Sequence, residues 1–283
     1  MLILPAIFAA TLVVLIPIMQ TAVMSFMDYI VYKPKDRSFV GLANYIAVLK
    51  DPVFLVSLKH TIIWIVGVIS MQLTLGFAAA LLLNQDFWWR GLARSLILIP
   101  WITPSVITAL MWRWMYDGNR GVINNILQRL GVIEQFIPWL SNEKTALGAV
   151  MVALMWQGFP FFTIMIMAGL QAIPSSLHEA AKVDGAGTVQ RFLKVTLPML
   201  RPVLFTSILL RIIWVANSMD IIYVMTGGGP GYTTYTLPLY AYLKAYKALD
   251  FGYAGSIAIL LAVLLSVFVA GYVSKVIQAE DIQ

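Results

Sequence analysis

Cysteine is missing altogether from the 283 residues, and histidine occurs only as His60 and His178. No disulfide framework and no thiolate or histidine metal cluster can be built from such a chain. Charge is scarce too: 11% of residues are Asp, Glu, Lys or Arg, against roughly 25% in a soluble domain. A soluble enzyme, a nucleic-acid binder and a disordered scaffold are thereby excluded. The net charge of +6 comes from basic residues scattered singly over several loops, without a run of like charges. They read as membrane-flanking charges. A phosphate-cradling loop needs a glycine-rich turn followed by Lys-Ser/Thr. The glycine cluster Gly227-Gly228-Gly229-Pro230-Gly231 has no lysine after it in that place, so this chain is not expected to hydrolyse ATP itself.

What the chain does contain is apolar. Hydrophobic residues make up 60%, and the mean hydropathy is +0.85. A globule of this size cannot hide so much apolar surface in one core, which leaves an integral membrane protein. A bilayer core needs about 20 apolar residues per helix. Six stretches qualify: Met1 to Met27 with Pro5 and Pro17 as tolerated kinks, Thr61–Leu83, Ser95–Trp112, Thr145–Leu170, Val203–Thr226 and Ala254–Val276. The third carries Pro100 and Pro104, which predict a kink or tilt. Trp88, Trp89, Trp112, Trp114, Tyr223, Tyr253 and Tyr272 fall near the ends of these stretches, as interfacial aromatic belts do. The expected fold is all-α: one membrane domain over residues 1–283 with six transmembrane helices. Six spans put both termini on one side. Seven Lys and Arg share the side of the loop between spans four and five, and eleven lie opposite, so the positive-inside rule weakly favours that loop facing out.

That loop, residues 171–201, has its own structure. Pro174 and the two serines after it open a short helix, Glu179 lies in its early turns, and Gly185 can take the left-handed conformation that ends it. An amphipathic segment, Thr188 to Leu197, follows, closed by Pro198 and Pro202 before the fifth span. Pattern alone allows an ordinary surface connector or a docking element.

The string Glu179-Ala180-Ala181, then Gly185, Val195 and Leu197-Pro198, resembles the EAA loop of binding-protein-dependent ABC importers, with Val195 where the family has Ile. Four further segments resemble the sugar-permease branch of that family, the maltose-type and glycerol-phosphate-type permeases. They are Phe39 to Tyr45, Ile99-Pro100-Trp101, Trp112 to Tyr116 with Gly121 to Asn124, and Tyr223 to Pro230 with Thr234 to Tyr242. Five ordered motifs cover most of the chain. The resemblance implies a type I ABC importer permease fold, multi-pass in the cytoplasmic (inner) membrane of a bacterium or archaeon. It makes the 171–201 loop cytosolic and places both termini in the cytosol, against the charge count. It implies a second homologous permease, two ATPase subunits that carry ATP and Mg, and an extracytoplasmic solute-binding protein, with no cofactor on this chain. Glu179, Ala180, Ala181, Asp184, Gly185 and Pro198 would form the coupling element toward an ATPase, Asp184 having two alternatives: balancing Lys182 or capping the next helix.

Polar groups inside spans mark a pathway. Arg211 and Asp220 fall in the fifth stretch, nine residues apart, which puts them on opposite faces of one regular helix. Arg211 either meets backbone carbonyls or a partner's acid, or faces solute. The fourth span carries Trp156-Gln157-Gly158-Phe159-Pro160-Phe161, where glycine and proline weaken the backbone ladder. Amides and aromatic faces suit sugar recognition, so Gln157, Phe161, Trp214 and Asn217 join Arg211 and Asp220 as pathway candidates. The rival reading is an ion- or proton-coupled secondary transporter using Arg211 and Asp220.

Overall fold

The computed structural model describes residues 4, 8–9, 11–33 and 37–280. The first helix, α1 (Thr11–Ser25), opens with a π-turn over Thr11–Leu15. Pro17 follows at once; its ring crowds the preceding turn, and a wider turn relieves that crowding. Pro5 lies outside the described residues. A two-residue ribbon, β1 (Met27–Asp28) with β2 (Ser38–Phe39), pairs antiparallel with Met27 opposite Phe39. A short helix α2 (Ala43–Lys50) leads into α3 (Pro52–Leu83). This helix starts nine residues before the expected Thr61. Asp51 caps it, accepting from the Val53 N–H at 2.8 Å, and Pro52 fits the first turn, so Lys59 and His60 are helical. Hydropathy marks membrane, not helix.

The third expected span is broken. Helices α4 (Arg90–Leu96) and α5 (Ile99–Ile102) meet α6 (Ser105–Met115) at a 93° bend around Thr103-Pro104. Proline forces its predecessor into extended backbone, and Thr103 has ψ of 124°. After α7 (Val122–Arg129) comes α8 (Ala146–Ala172), which passes through Gly158 and Pro160 without interruption. Pro160, Phe161 and Phe162 are all buried, so this stretch is enclosed by neighbouring helices.

Beyond the short α9 (Ser175–Val183), helix α10 runs from Thr188 to Asn217, with a π-turn at Phe192–Thr196. The amphipathic segment is therefore the first part of a membrane helix, not a separate element. Pro198 sits just after the π-turn, in the first turn of the α-helical part, where it removes little. Helix α10 ends at Ser218, and α11 (Asp220–Thr226) restarts in a new direction. Helices α12 (Leu237–Tyr246) and α13 (Phe251–Glu280) complete the chain. Among the described residues, α3, α8, α10 and α13 are long and apolar enough to cross a bilayer, and the bent α4–α6 group makes a fifth; α1 is a shorter apolar helix. The expected six is thus four or five by this criterion.

Close backbone approach holds the bundle together. A Cβ on Gly76 of α3 would lie 2.5 Å from Phe162 Cβ of α8, so only glycine lets these helices meet. The main core, with Trp64, Phe162, Ile166, Leu200, Ile221 and Ile222, fills the space between α3, α8, α10 and α11. Trp112 is buried there against Tyr116 and Trp156 rather than at a lipid boundary, while Trp88 and Trp114 are exposed. A second core around Val48, Phe54, Leu237 and Ile257 joins α2, α3, α12 and α13. Beside it the Asp51 carboxylate accepts from the Tyr240 and Tyr253 hydroxyls, the latter at 2.6 Å.

Candidate translocation cavity and coupling helix

The break at Ser218 reshapes the fifth segment's polar residues. A carbonyl near a helix end lacks its intrahelical partner. Here Val215 O receives the Trp64 indole N–H at 3.1 Å and the Ser218 N–H at 3.2 Å. With the chain turned at that point, Arg211 and Asp220 line one cavity of about 430 Å³. The expectation of opposite faces fails because it assumed one regular helix. Gln157, Trp214 and Asn217 line the same cavity. Phe161 does not line it; it lies behind, its ring 5.3 Å from that of Trp214 and 5.8 Å from the Arg211 guanidinium.

Four contributors were not among the pathway candidates expected from the sequence. Trp101 and Ser105 arrive from the α5–α6 bend, and Ser105 Oγ donates to Asp220 Oδ2. Gln72, fully buried in α3, accepts from Arg211 Nε at 3.0 Å and donates through Nε2 to Leu154 O at 2.8 Å. A lone amide in an apolar span was the available signal. Gly158 is the fourth: a Cβ there would sit 2.1 Å from Gln72 Nε2 and 2.2 Å from Arg211 Nη2. The glycine's use is to leave room for the guanidinium, not to break the helix.

The 171–201 loop presents a different surface. Helix α9 follows Pro174, and no acid stands in its first turn; Glu179 is its fifth residue and is exposed, as is Ala180, while Ala181 is half-buried. Gly185 takes φ of +77°, and the Ala186 N–H reaches Ala181 O at 2.9 Å while the Gly185 N–H reaches Lys182 O at 3.0 Å. This pair of bonds is the Schellman close. Asp184 forms neither alternative bond among the described residues: it makes no ion pair there, and the next helix is capped by Gln190 Oε1, which accepts the Gly187 N–H at 3.1 Å. Val183 is 88% exposed and Val189 is 70% exposed, apolar side chains on a segment otherwise polar. Pro198 lies in α10, beyond the exposed turn.

Residues 72–279 match the model of the binding-protein-dependent transport system inner membrane component. The chain belongs to this family. The trehalose/maltose transport system permease protein of Thermococcus litoralis is 39% identical over 272 residues, 96% of this chain and 91% of that protein. The sulfoquinovosyl glycerol transport system permease protein of Agrobacterium fabrum is 34% identical over 277 residues, 98% of this chain and 89% of that one. In fold the chain is similar to a chain of a bacterial ABC transporter involved in import of the acidic polysaccharide alginate. The TM-score is 0.82 at 20% identity, covering 97% of this chain and 93% of the other. The fold is that of the type I ABC importer permeases.

Proposed function

We propose that this chain is one of two permease subunits of an ATP-driven importer for a carbohydrate or related polar solute. The observation that carries the reading is the family match over residues 72–279, which contains both the polar cavity and the whole 171–201 loop, α9 included. The two relatives named above are permeases for glycosides, and the cavity has the matching chemistry of aromatic faces beside amides. A second homologous permease would close the pathway around the cavity. An extracytoplasmic binding protein would deliver the solute, and two ATPase subunits would hold ATP and Mg. On this reading the chain itself holds no cofactor and is not an enzyme. The 171–201 loop faces the cytosol with both termini, in the cytoplasmic membrane. Family membership disfavours the ion-coupled carrier using Arg211 and Asp220.

Helix α9 is slim at Ala180 and Ala181 and apolar at Val183, which suits insertion into a groove on an ATPase, with Glu179 offering a carboxylate to a basic group there. Its test uses the reconstituted importer in proteoliposomes. Glu179→Lys and Gly185→Asp are expected to leave ATPase activity but cut solute uptake at least about tenfold, so that fewer solute molecules enter per ATP hydrolysed. Wild-type uptake by both loop variants would remove α9 from the coupling role.

A further inference from the structure

The cavity holds a guanidinium that no carboxylate pairs among the described residues. Arg211 is 7% exposed, and its only hydrogen bond among the described residues runs from Nε to Gln72 Oε1. Among the described residues its two terminal nitrogens donate to no protein acceptor and no carboxylate forms an ion pair with it. The guanidinium lies 5.8 Å from the Phe161 ring and 5.7 Å from that of Trp214. Asp220 lines the same cavity but not within ion-pair distance, and its Oδ2 is engaged by Ser105. Buried guanidinium groups are otherwise paired, because burial strips their water. Gln72 holds this one in place, its own amide fixed by Leu154 O, and Gly158 clears the space beside Nη2.

The other polar side chains that line the cavity are uncharged or acidic, among them Ser105, Gln157, Asn217, Ser218 and Asp220. Gln157 gives one Nε2 hydrogen to Thr103 O at 2.9 Å, and its Oε1 stays open as an acceptor. Asn217 gives one Nδ2 hydrogen to Ile213 O at 2.8 Å, and its Oδ1 stays open as an acceptor. Asp220 adds a carboxylate. A polyol satisfies such acceptors with its hydroxyl protons, and Trp214, 48% exposed, offers a ring face for the apolar side of a sugar. Arg211 is the one cationic donor, and it calls for an anion.

We infer that the solute carries an anionic group, a carboxylate, sulfonate or phosphate on a sugar, which docks on the Arg211 terminal nitrogens while its hydroxyls meet Gln157, Asn217 and Asp220. This rests on the translocation role proposed above for the cavity. A site built for a polar group rejects the analogue that lacks it, because its own buried partners are left unpaired.

The test is uptake by the reconstituted importer, with its binding protein, of paired probes that differ only at one carbon: glucose with glucuronate, galactose with galacturonate, and each hexose with its 6-phosphate and 6-sulfate. In at least one pair the acid is expected to enter at least about tenfold faster, and Arg211→Gln to lower that uptake at least about tenfold, with Arg211→Lys recovering part. Equal uptake of neutral and acidic members overturns the anion assignment and leaves the carbohydrate importer standing. Uptake of neither class, or uptake without ATP, overturns both. The anion could instead belong to the second permease. Co-purification of the two permeases separates the sources: assembly unchanged in Arg211→Gln supports the solute, and assembly lost in Arg211→Gln but kept in Arg211→Lys overturns it.

Discussion

Gly158 shows how much a single hydrogen atom in place of a side chain can decide. It stands where α8 passes the Arg211–Gln72 pair, and a methyl group there overlaps both side chains. The two cannot yield cheaply, since Gln72 is fully buried and already bonded to Leu154 O. Overpacking of this kind costs about 1–3 kcal/mol. Gly158→Ala should therefore lower the melting temperature of the purified permease and reduce uptake by displacing the guanidinium. Gly148 lies in the same helix with open space around its Cβ position, so Gly148→Ala serves as the control and should leave both measurements unchanged. If the two variants melt together, the crowding argument is wrong.

At the scale of elements, the breaks matter more than the spans. At the end of α10 the Val215 carbonyl accepts from the indole of Trp64 of α3, which is fully buried, as well as from the Ser218 N–H. Trp64→Phe keeps an aromatic ring but removes one of the two donors to Val215 O, the Ser218 N–H remaining, and the loss of one hydrogen bond costs roughly 0.5–1.5 kcal/mol. The expected result is a lower melting temperature and altered solute selectivity in uptake, because the Arg211-to-Asp220 geometry depends on that break. A selectivity profile identical to wild type would detach the break from the cavity's shape. The same break explains what reading the residues in order could and could not reach. Short-range signals were legible: Pro174 and Gly185 bracket α9, and Pro104 marks the α5–α6 bend. Asp51-Pro52 was an equally local signal for the start of α3, masked by the charges at Lys59 and His60. Asn217-Ser218-Met219 carries neither glycine nor proline, and its interruption depends on a tryptophan 151 positions away. Gln157, Trp214, Asn217, Arg211 and Asp220 were picked as polar or aromatic residues in apolar surroundings. That they meet in one cavity is tertiary, as is the part of Gln72.

For the whole molecule, Asp51 ties together segments far apart in the chain: the start of α3, α12 through Tyr240 and α13 through Tyr253. Burial pushes its carboxyl upward, but the Tyr240 and Tyr253 hydroxyls, the Val53 N–H and nearby Lys244 outweigh that and hold it below the ordinary value of 3.8. A carboxyl lowered in the folded state stabilises above its unfolded value and loses that contribution as pH falls through the folded one. Asp51→Asn should thus melt earlier than wild type at pH 7, and the gap should close below about pH 4. A gap that persists into acid would assign the effect to shape, not charge.

Helix α10 passes without interruption from the exposed loop at Thr188 to the cavity at Asn217, about 45 Å at 1.5 Å per residue. A shaft of that kind cannot carry a message in one direction only. Any free energy by which an ATPase held at the loop alters the cavity's affinity is returned in full by the solute, as a change in how tightly the ATPase is held. For an importer built on this helix, measuring the affinity between subunits with and without solute is then a measurement of the transport stroke itself.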